Sequence, residues 1–174
     1  YLLVIQHPVT TEYESNISEI SETIAAIEKL KMQTLWLWPN IDAGSDQISK
    51  KLRIFRETKE AKYIRFFKNF SPEDYNIILN NAAVAVGNSS SFIREGSFLG
   101  VPAVNIGSRQ NNRERGSNII DVIPKKNEIL KAITQQLKRK RFKKSNLFGK
   151  GDAGIKIANI LSNTNPPIQK VLKY

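Results

Sequence analysis

Three consecutive serines, Ser89-Ser90-Ser91, stand behind Gly87-Asn88 and ahead of Phe92-Ile93-Arg94-Glu95, and hydroxyls gathered at one point of a chain can hold an anion. Upstream, Ala82-Ala83-Val84-Ala85-Val86 reads as a buried strand; downstream, Ile93 to Leu99 reads as a short helix closed by Gly100. The serines thus fall at a helix N-terminus, where unpaired backbone N–H groups and the positive end of the helix dipole attract negative charge. Serine is also a preferred N-cap, so the loop has two readings, an anion cradle and a plain cap. His7, the only histidine, poses a similar choice. It directly follows an apolar run and precedes Pro8, which disfavours helix at that point. Its imidazole is either a ligand and proton donor or a group satisfied by nearby backbone. Arg109, Arg113 and Arg115 can each grip a phosphate through two parallel bonds, or lie on a solvated loop. Glu95, one turn into the helix, can accept two ribose hydroxyls or simply answer the dipole. Asn40 either reaches the site or closes an Asx turn.

The elements that must position these groups alternate along the chain. Leu2-Leu3-Val4-Ile5 is a continuous apolar run, as a strand covered on both faces requires. Thr11 and Glu14 have capping-box spacing, and Ile17, Ile20, Ile24 and Ile27 then form one stripe of a helix reaching about Lys31. Thr34-Leu35-Trp36-Leu37-Trp38 is a second strand, Asp46 to Arg53 a weaker helix, and Tyr63-Ile64-Arg65-Phe66-Phe67 a third strand. Ser71-Pro72-Glu73-Asp74 supplies an N-cap, a proline at the first helical position and acids in the first turn. After the serine loop come a strand at Pro102 to Ile106, a long polar loop from Gly107 to Ser117, a short strand at Asn118 to Ile123 and a helix at Glu128 to Lys138. A last helix starts near Asp152, groups Ile157, Ala158 and Leu161, and ends before Pro166-Pro167. Such alternation implies an α/β fold, a Rossmann-like doubly wound parallel sheet. Ligands of open parallel sheets bind at the carboxyl ends of strands. His7, Asn40, Phe70 with Ser71, Ser89 to Ser91, and Ser108 to Arg115 would all line that edge.

The 174 residues suffice for one domain with a sizeable core. No Cys is present, which excludes disulfides and thiolate metal sites. No apolar run approaches membrane-spanning length and no signal peptide is visible, so the cytoplasm is the default expectation and no membrane partner is expected. A net charge of +11 favours anionic partners in general. Much of the excess sits in Lys138-Arg139-Lys140-Arg141-Phe142-Lys143-Lys144. A solvated helix end is the preferred reading over a nucleic-acid patch, because a single aromatic in that run leaves base stacking little to work with. The chain opens inside a strand pattern, without an initiator Met, as expected of a piece of a longer protein.

Taken in order, His7-Pro8-Val9-Thr10-Thr11-Glu12, Pro39-Asn40-Ile41-Asp42-Ala43-Gly44-Ser45, Gly87-Asn88-Ser89-Ser90-Ser91, Arg94-Glu95 and Asn105-Ile106-Gly107-Ser108-Arg109-Gln110 with Arg113-Glu114-Arg115-Gly116 resemble the carboxyl-terminal half of UDP-N-acetylglucosamine 2-epimerases. The likeness is greatest to the hydrolysing type used in sialic acid synthesis. It implies a GT-B architecture, of which residues 1–162 would be the UDP-binding half and 163–174 a tail, with the catalytic amino-terminal half absent. It implies elimination of UDP across C1 and C2 of UDP-N-acetylglucosamine, then addition of water to give N-acetylmannosamine, with no cofactor and no metal. A non-hydrolysing epimerase, a GT-B glycosyltransferase and a non-catalytic sugar-nucleotide sensor are the alternatives, and a homo-oligomer is compatible with all of them. By matching position, His7 would contact the diphosphate or assist its departure. Asn40 and the backbone near Phe70 would bound the uracil pocket. Ser89 and Ser90 would hold phosphate oxygens with Ser91 as the cap, Glu95 the ribose hydroxyls and Arg109 the nucleotide side of the cleft. Phe92 stands where the family usually has Gly, so its ring must turn aside from the phosphate or fill its space.

Overall fold

Residues 1–58, 61–165 and 168–169 are described in the computed structural model of the chain. In chain order the elements are β1 (Leu2–Ile5), α1 (Asn16–Leu30), β2 (Thr34–Leu37), α2 (Ser45–Thr58), β3 (Ile64–Phe67), α3 (Pro72–Asn81), β4 (Val84–Gly87), α4 (Ser90–Leu99), β5 (Ala103–Ile106), β6 (Ile119–Val122), α5 (Lys126–Arg139) and α6 (Ala153–Ser162). The strands form one six-stranded sheet in the order β3-β2-β1-β4-β5-β6, every pairing parallel. This is the doubly wound arrangement expected from the alternation, and its order reverses between β1 and β4.

Side chains alternate across β1, and the two faces build two cores. Leu2 and Val4 pack with Ile20, Ile24 and Ile27 of α1, Ile48 and Leu52 of α2, and Ile129 and Ile133 of α5. Leu3 and Ile5 pack with Leu79 of α3 and Phe92 of α4. The helix α2 runs further than its short apolar pattern suggests, to Thr58, because Phe55 extends the buried stripe of Ile48 and Leu52 by another turn. At Ser71 the cap is as expected: its Oγ accepts the Asp74 N–H at 3.1 Å.

The expected capping box at Thr11 and Glu14 does not form. Residues Thr10–Ser15 make a 3-10 turn instead and α1 begins at Asn16. The Asn16 amide decides this. Its Oδ1 accepts the Val9 N–H at 2.9 Å and its Nδ2 donates to the Val9 carbonyl at 3.5 Å, so the chain closes back on the first residue of the helix. Ile17, expected on the apolar stripe, is consequently exposed. The helix α4 likewise starts at Ser90 rather than Ile93, with Ser89 at the N-cap in place of Ser91. In α6 the grouped Ile157 and Leu161 are 56% and 68% exposed. Pro166-Pro167 and most of the apolar tail lie outside the described residues.

Gly87 closes β4 with φ at +131°, and a Cβ there would stand 1.9 Å from the Ile5 carbonyl oxygen. Both facts demand glycine. Gly87→Ala should therefore cost about 3 kcal/mol or more. A thermal unfolding midpoint lowered by roughly 6–12 °C is expected for a chain of this size; an unchanged midpoint would refute the close approach.

Candidate functional site

The turn that follows Gly87 joins the carboxyl ends of β1 and β4. Asn88 is 1% exposed and uses all of its polar groups. Its Oδ1 accepts the His7 N–H at 2.7 Å and its Nδ2 donates to the His7 carbonyl at 2.8 Å. Its own N–H donates to the Ile5 carbonyl at 3.1 Å. Its carbonyl accepts Gln110 Nε2 at 2.8 Å and Arg109 Nη1 at 3.4 Å. One amide thereby continues the β1–β4 ladder past its end and binds the loop after β5 to it. The sequence assigns neither Asn88 nor Gln110 a role of its own, although both stand in the motifs that carry the family resemblance.

Clamped in this way, His7 is 6% exposed. The Asn40 N–H donates to its Nδ1 at 3.1 Å, which assigns the proton of the neutral ring to Nε2. Burial lowers its pKa to about 4, the Arg109 charge pushes the same way, and Asp42 opposes. At neutral pH His7 is an uncharged donor with a defined tautomer. Arg109 is in turn held by Asp42 at 3.4 Å, and the two line a cavity of about 350 Å³ with Pro8, Val9, Thr10 and Ser108. Asp42 owes its importance to that pairing, which the linear order of residues hides.

The serine loop, at the start of α4, directly follows Asn88, whose carbonyl accepts from the Arg109 that lines this cavity. Ser89 Oγ accepts the Ser91 N–H at 3.4 Å and lies 2.9 Å from Ser91 Oγ. Ser91 is also tied to Tyr75 Oη at 2.5 Å, a contact with no counterpart in the sequence pattern, where Tyr75 is one aromatic of an amphipathic helix. Phe92 is 1% exposed and packs with Leu3, Ile5 and Ala85. Its ring has turned into the second core, leaving the space before the helix clear. Glu95 is exposed on α4, where it lines a separate groove of about 410 Å³ with Asn76, Arg94, Phe98 and Phe148.

The partners of three further expected residues are also defined. Arg115 is consumed by structure: it pairs with Asp121 at 3.1 Å and donates to the carbonyls of Gln110 and Arg113. Phe70 packs against Phe67 in a tilted pair, 4.9 Å between ring centroids, and Asn40 presents its backbone N–H to His7. Neither is among the residues that line the Glu95 groove. The basic run behaves as a helix end, with Lys138 and Arg139 in the last turn of α5. Among the described residues no cluster of acidic, His or Cys side chains could hold a metal, and no helix is long and apolar enough to cross a membrane.

A doubly wound sheet whose switch point carries a fixed neutral histidine beside a hydroxyl-lined helix N-terminus has the architecture of α/β proteins whose strand ends face a ligand crevice. The chain belongs to the UDP-N-acetylglucosamine 2-epimerase family, whose model matches residues 1–162. It is 34% identical over 149 residues to a hydrolysing UDP-N,N'-diacetylbacillosamine 2-epimerase of Legionella pneumophila, covering 86% of this chain and 39% of that protein. It is 32% identical to a UDP-N-acetylglucosamine 2-epimerase of Neisseria meningitidis, covering 87% of this chain and 39% of that one. The chain thus spans about two fifths of the length of these relatives. The Methanocaldococcus jannaschii UDP-GlcNAc 2-epimerase, solved in complex with UDP-GlcNAc and UDP, superposes with a TM-score of 0.70 at 20% identity, over 94% of this chain and 45% of that one. The fold is accordingly the Rossmann-like carboxyl-terminal half of a GT-B protein.

Two measurements check the geometry. In Asn88→Asp the carboxylate can accept from His7 but cannot donate to its carbonyl, so a loss of about 2 kcal/mol is expected at pH 7. The deficit should narrow at low pH, where the protonated acid regains a donor; a pH-independent deficit counts against the two-bond clamp. For His7 itself the folded pKa of about 4 lies below the ordinary 6.5, so between those values the unfolded chain binds more protons. Stability should then fall by up to about 3 kcal/mol as pH drops from 6.5 to 4. Denaturant titrations of wild type and His7→Gln across that range should differ by this slope; parallel curves would refute the burial of a neutral ring.

Proposed function

We propose that this chain is the UDP-sugar-binding half of a hydrolysing 2-epimerase that converts UDP-N-acetylglucosamine and water to N-acetylmannosamine and UDP. What carries this reading is the pairing of His7, locked by Asn88 and Asn40 as an Nε2–H donor, with the serine-capped start of α4 at the switch point. A diphosphate there accepts hydrogen bonds from Ser89, Ser90 and the first N–H groups of the helix. The ribose hydroxyls go to Glu95, so that the nucleoside occupies the groove between α3 and α4. Arg109 supplies positive charge on the nucleotide side of the cleft without being free to wander, because Asp42 holds it.

In the reaction the C2 proton is removed, the C1–O bond breaks and UDP leaves with the bonding pair; water then adds to the resulting glycal. Charge develops on the departing phosphate oxygen, and donors already aimed at it stabilise that change without reorganising. His7 contributes as such a donor, and its proton becomes easier to hold as anionic charge arrives beside it. The group that takes the C2 proton belongs to the remainder of the protein. The hydrolysing names among the relatives support release of a free sugar.

Incubating the full-length protein with UDP-N-acetylglucosamine should yield free N-acetylmannosamine and UDP. Appearance of UDP-N-acetylmannosamine instead would mark a non-hydrolysing epimerase, and transfer of the sugar to an acceptor a glycosyltransferase. His7→Asn should lower kcat by about 10²–10³-fold, the scale of one lost transition-state donor, with a smaller change in KM; a raised KM with kcat unchanged would assign His7 to ground-state binding alone.

A further inference from the structure

Tyr75 has no role in the reading above, yet it ends a line of hydroxyls that runs into the anion site. Its Oη lies 2.5 Å from Ser91 Oγ, and Ser91 Oγ lies 2.9 Å from Ser89 Oγ. The line therefore passes from α3, through the second residue of α4, to the N-cap of α4. Each hydroxyl has one proton to donate and lone pairs to accept with. The line consequently has two polarities. In one, protons point inward and Ser89 turns a lone pair toward the ligand; in the other, they point outward and Ser89 offers its proton.

An anion at the start of α4 selects the outward polarity, since a lone pair facing a phosphate oxygen is repelled. The inner end must then supply a proton and keep it. Burial raises the phenol pKa to about 12, the bond to Ser91 opposing and the Glu95 carboxylate adding to the rise. Tyr75 is thus protonated at any pH at which the protein works. Aligned hydroxyls also polarise one another, so the outermost proton is a better donor than that of a lone serine.

Resting on the reading of the site as a diphosphate site, we propose that Tyr75 is a positioning residue for the diphosphate. Its phenol donates to Ser91, Ser91 donates to Ser89, and the Ser89 proton is left aimed at the ligand. This accounts for the run of three serines. Ser89 is the contact, Ser91 is the relay behind it, and Ser90, the first helical residue, stays free of the line. The benefit is felt by the phosphates and not by the nucleoside, which separates it from a packing role for the ring.

The test is calorimetric titration of the full-length protein with UDP and with uridine, for wild type, Tyr75→Phe, Ser91→Ala and the double variant. Phenylalanine keeps the ring and removes only the hydroxyl. UDP affinity should fall about five- to twentyfold in each single variant, uridine affinity should stay within twofold, and the double variant should be no weaker than Ser91→Ala alone. Unchanged UDP affinity in Tyr75→Phe overturns the proposal. So does an equal loss for UDP and uridine, or an additive loss in the double variant. Should Tyr75→Phe fail to fold by circular dichroism, Ser91→Ala decides, since it breaks the same line. A wild-type protein that ignores UDP sinks the reading of the site itself; a wild type that binds UDP with variants that bind it equally sinks only the role of Tyr75.

Discussion

The contact between the ends of β1 and β4 is the constraint on which the site depends. At the last pair of the ladder the two backbones approach so closely that only glycine fits at 87. One residue later the Asn88 amide takes both backbone groups of His7. A parallel ladder normally ends with unpaired N–H and C=O groups, which must find other partners. Here a side chain supplies them and fixes the direction in which β1 leaves the sheet. Because His7 is buried, its orientation is set by this clamp and by the Asn40 N–H, with little freedom left to its own rotamers.

The electrostatics of the site are local. The chain carries a net charge of +11, but the groups that shape the ligand edge are few: a neutral histidine, an arginine restrained by Asp42, and the start of α4. Arg115, which by sequence has equal standing with Arg109, spends its guanidinium on Asp121 and two carbonyls. Buried and partly buried charges act over short range with little screening, whereas surface lysines are screened within about a Debye length. The basic residues at the end of α5 and just after it are exposed and so screened in this way.

Phe92 illustrates how packing settles a question that chemistry alone leaves open. Its position beside the serines reads as an obstacle to a phosphate, and its ring instead completes the core formed by Leu3, Ile5 and Ala85. Residues along a helix alternate between faces by roughly 100° per residue, following the 3.6-residue turn. A start at Ser90 turns the serines to the ligand edge and Phe92 to the sheet. Had the helix begun at Ile93, as the apolar pattern suggested, the same ring would have belonged to the loop.

Most of the fold is legible in the residue pattern, because strand and helix periodicities are local properties. The continuous apolar run of β1, the Ser-Pro-Glu-Asp start of α3 and the alternation of elements together require a doubly wound parallel sheet, and the strand-end rule already draws His7, Asn40 and the serines to one edge. The beginnings of α1 and α4 were not legible, since each is set by a side chain reaching across a gap in sequence or by a cap chosen among near-equivalents. Asn88, Asp42 and Tyr75 belong to the same class. Their partners, His7, Arg109 and Ser91, lie 81, 67 and 16 residues away. Hydrogen bonds of that kind form only when separate strands and helices are brought together, and no spacing along the chain encodes them.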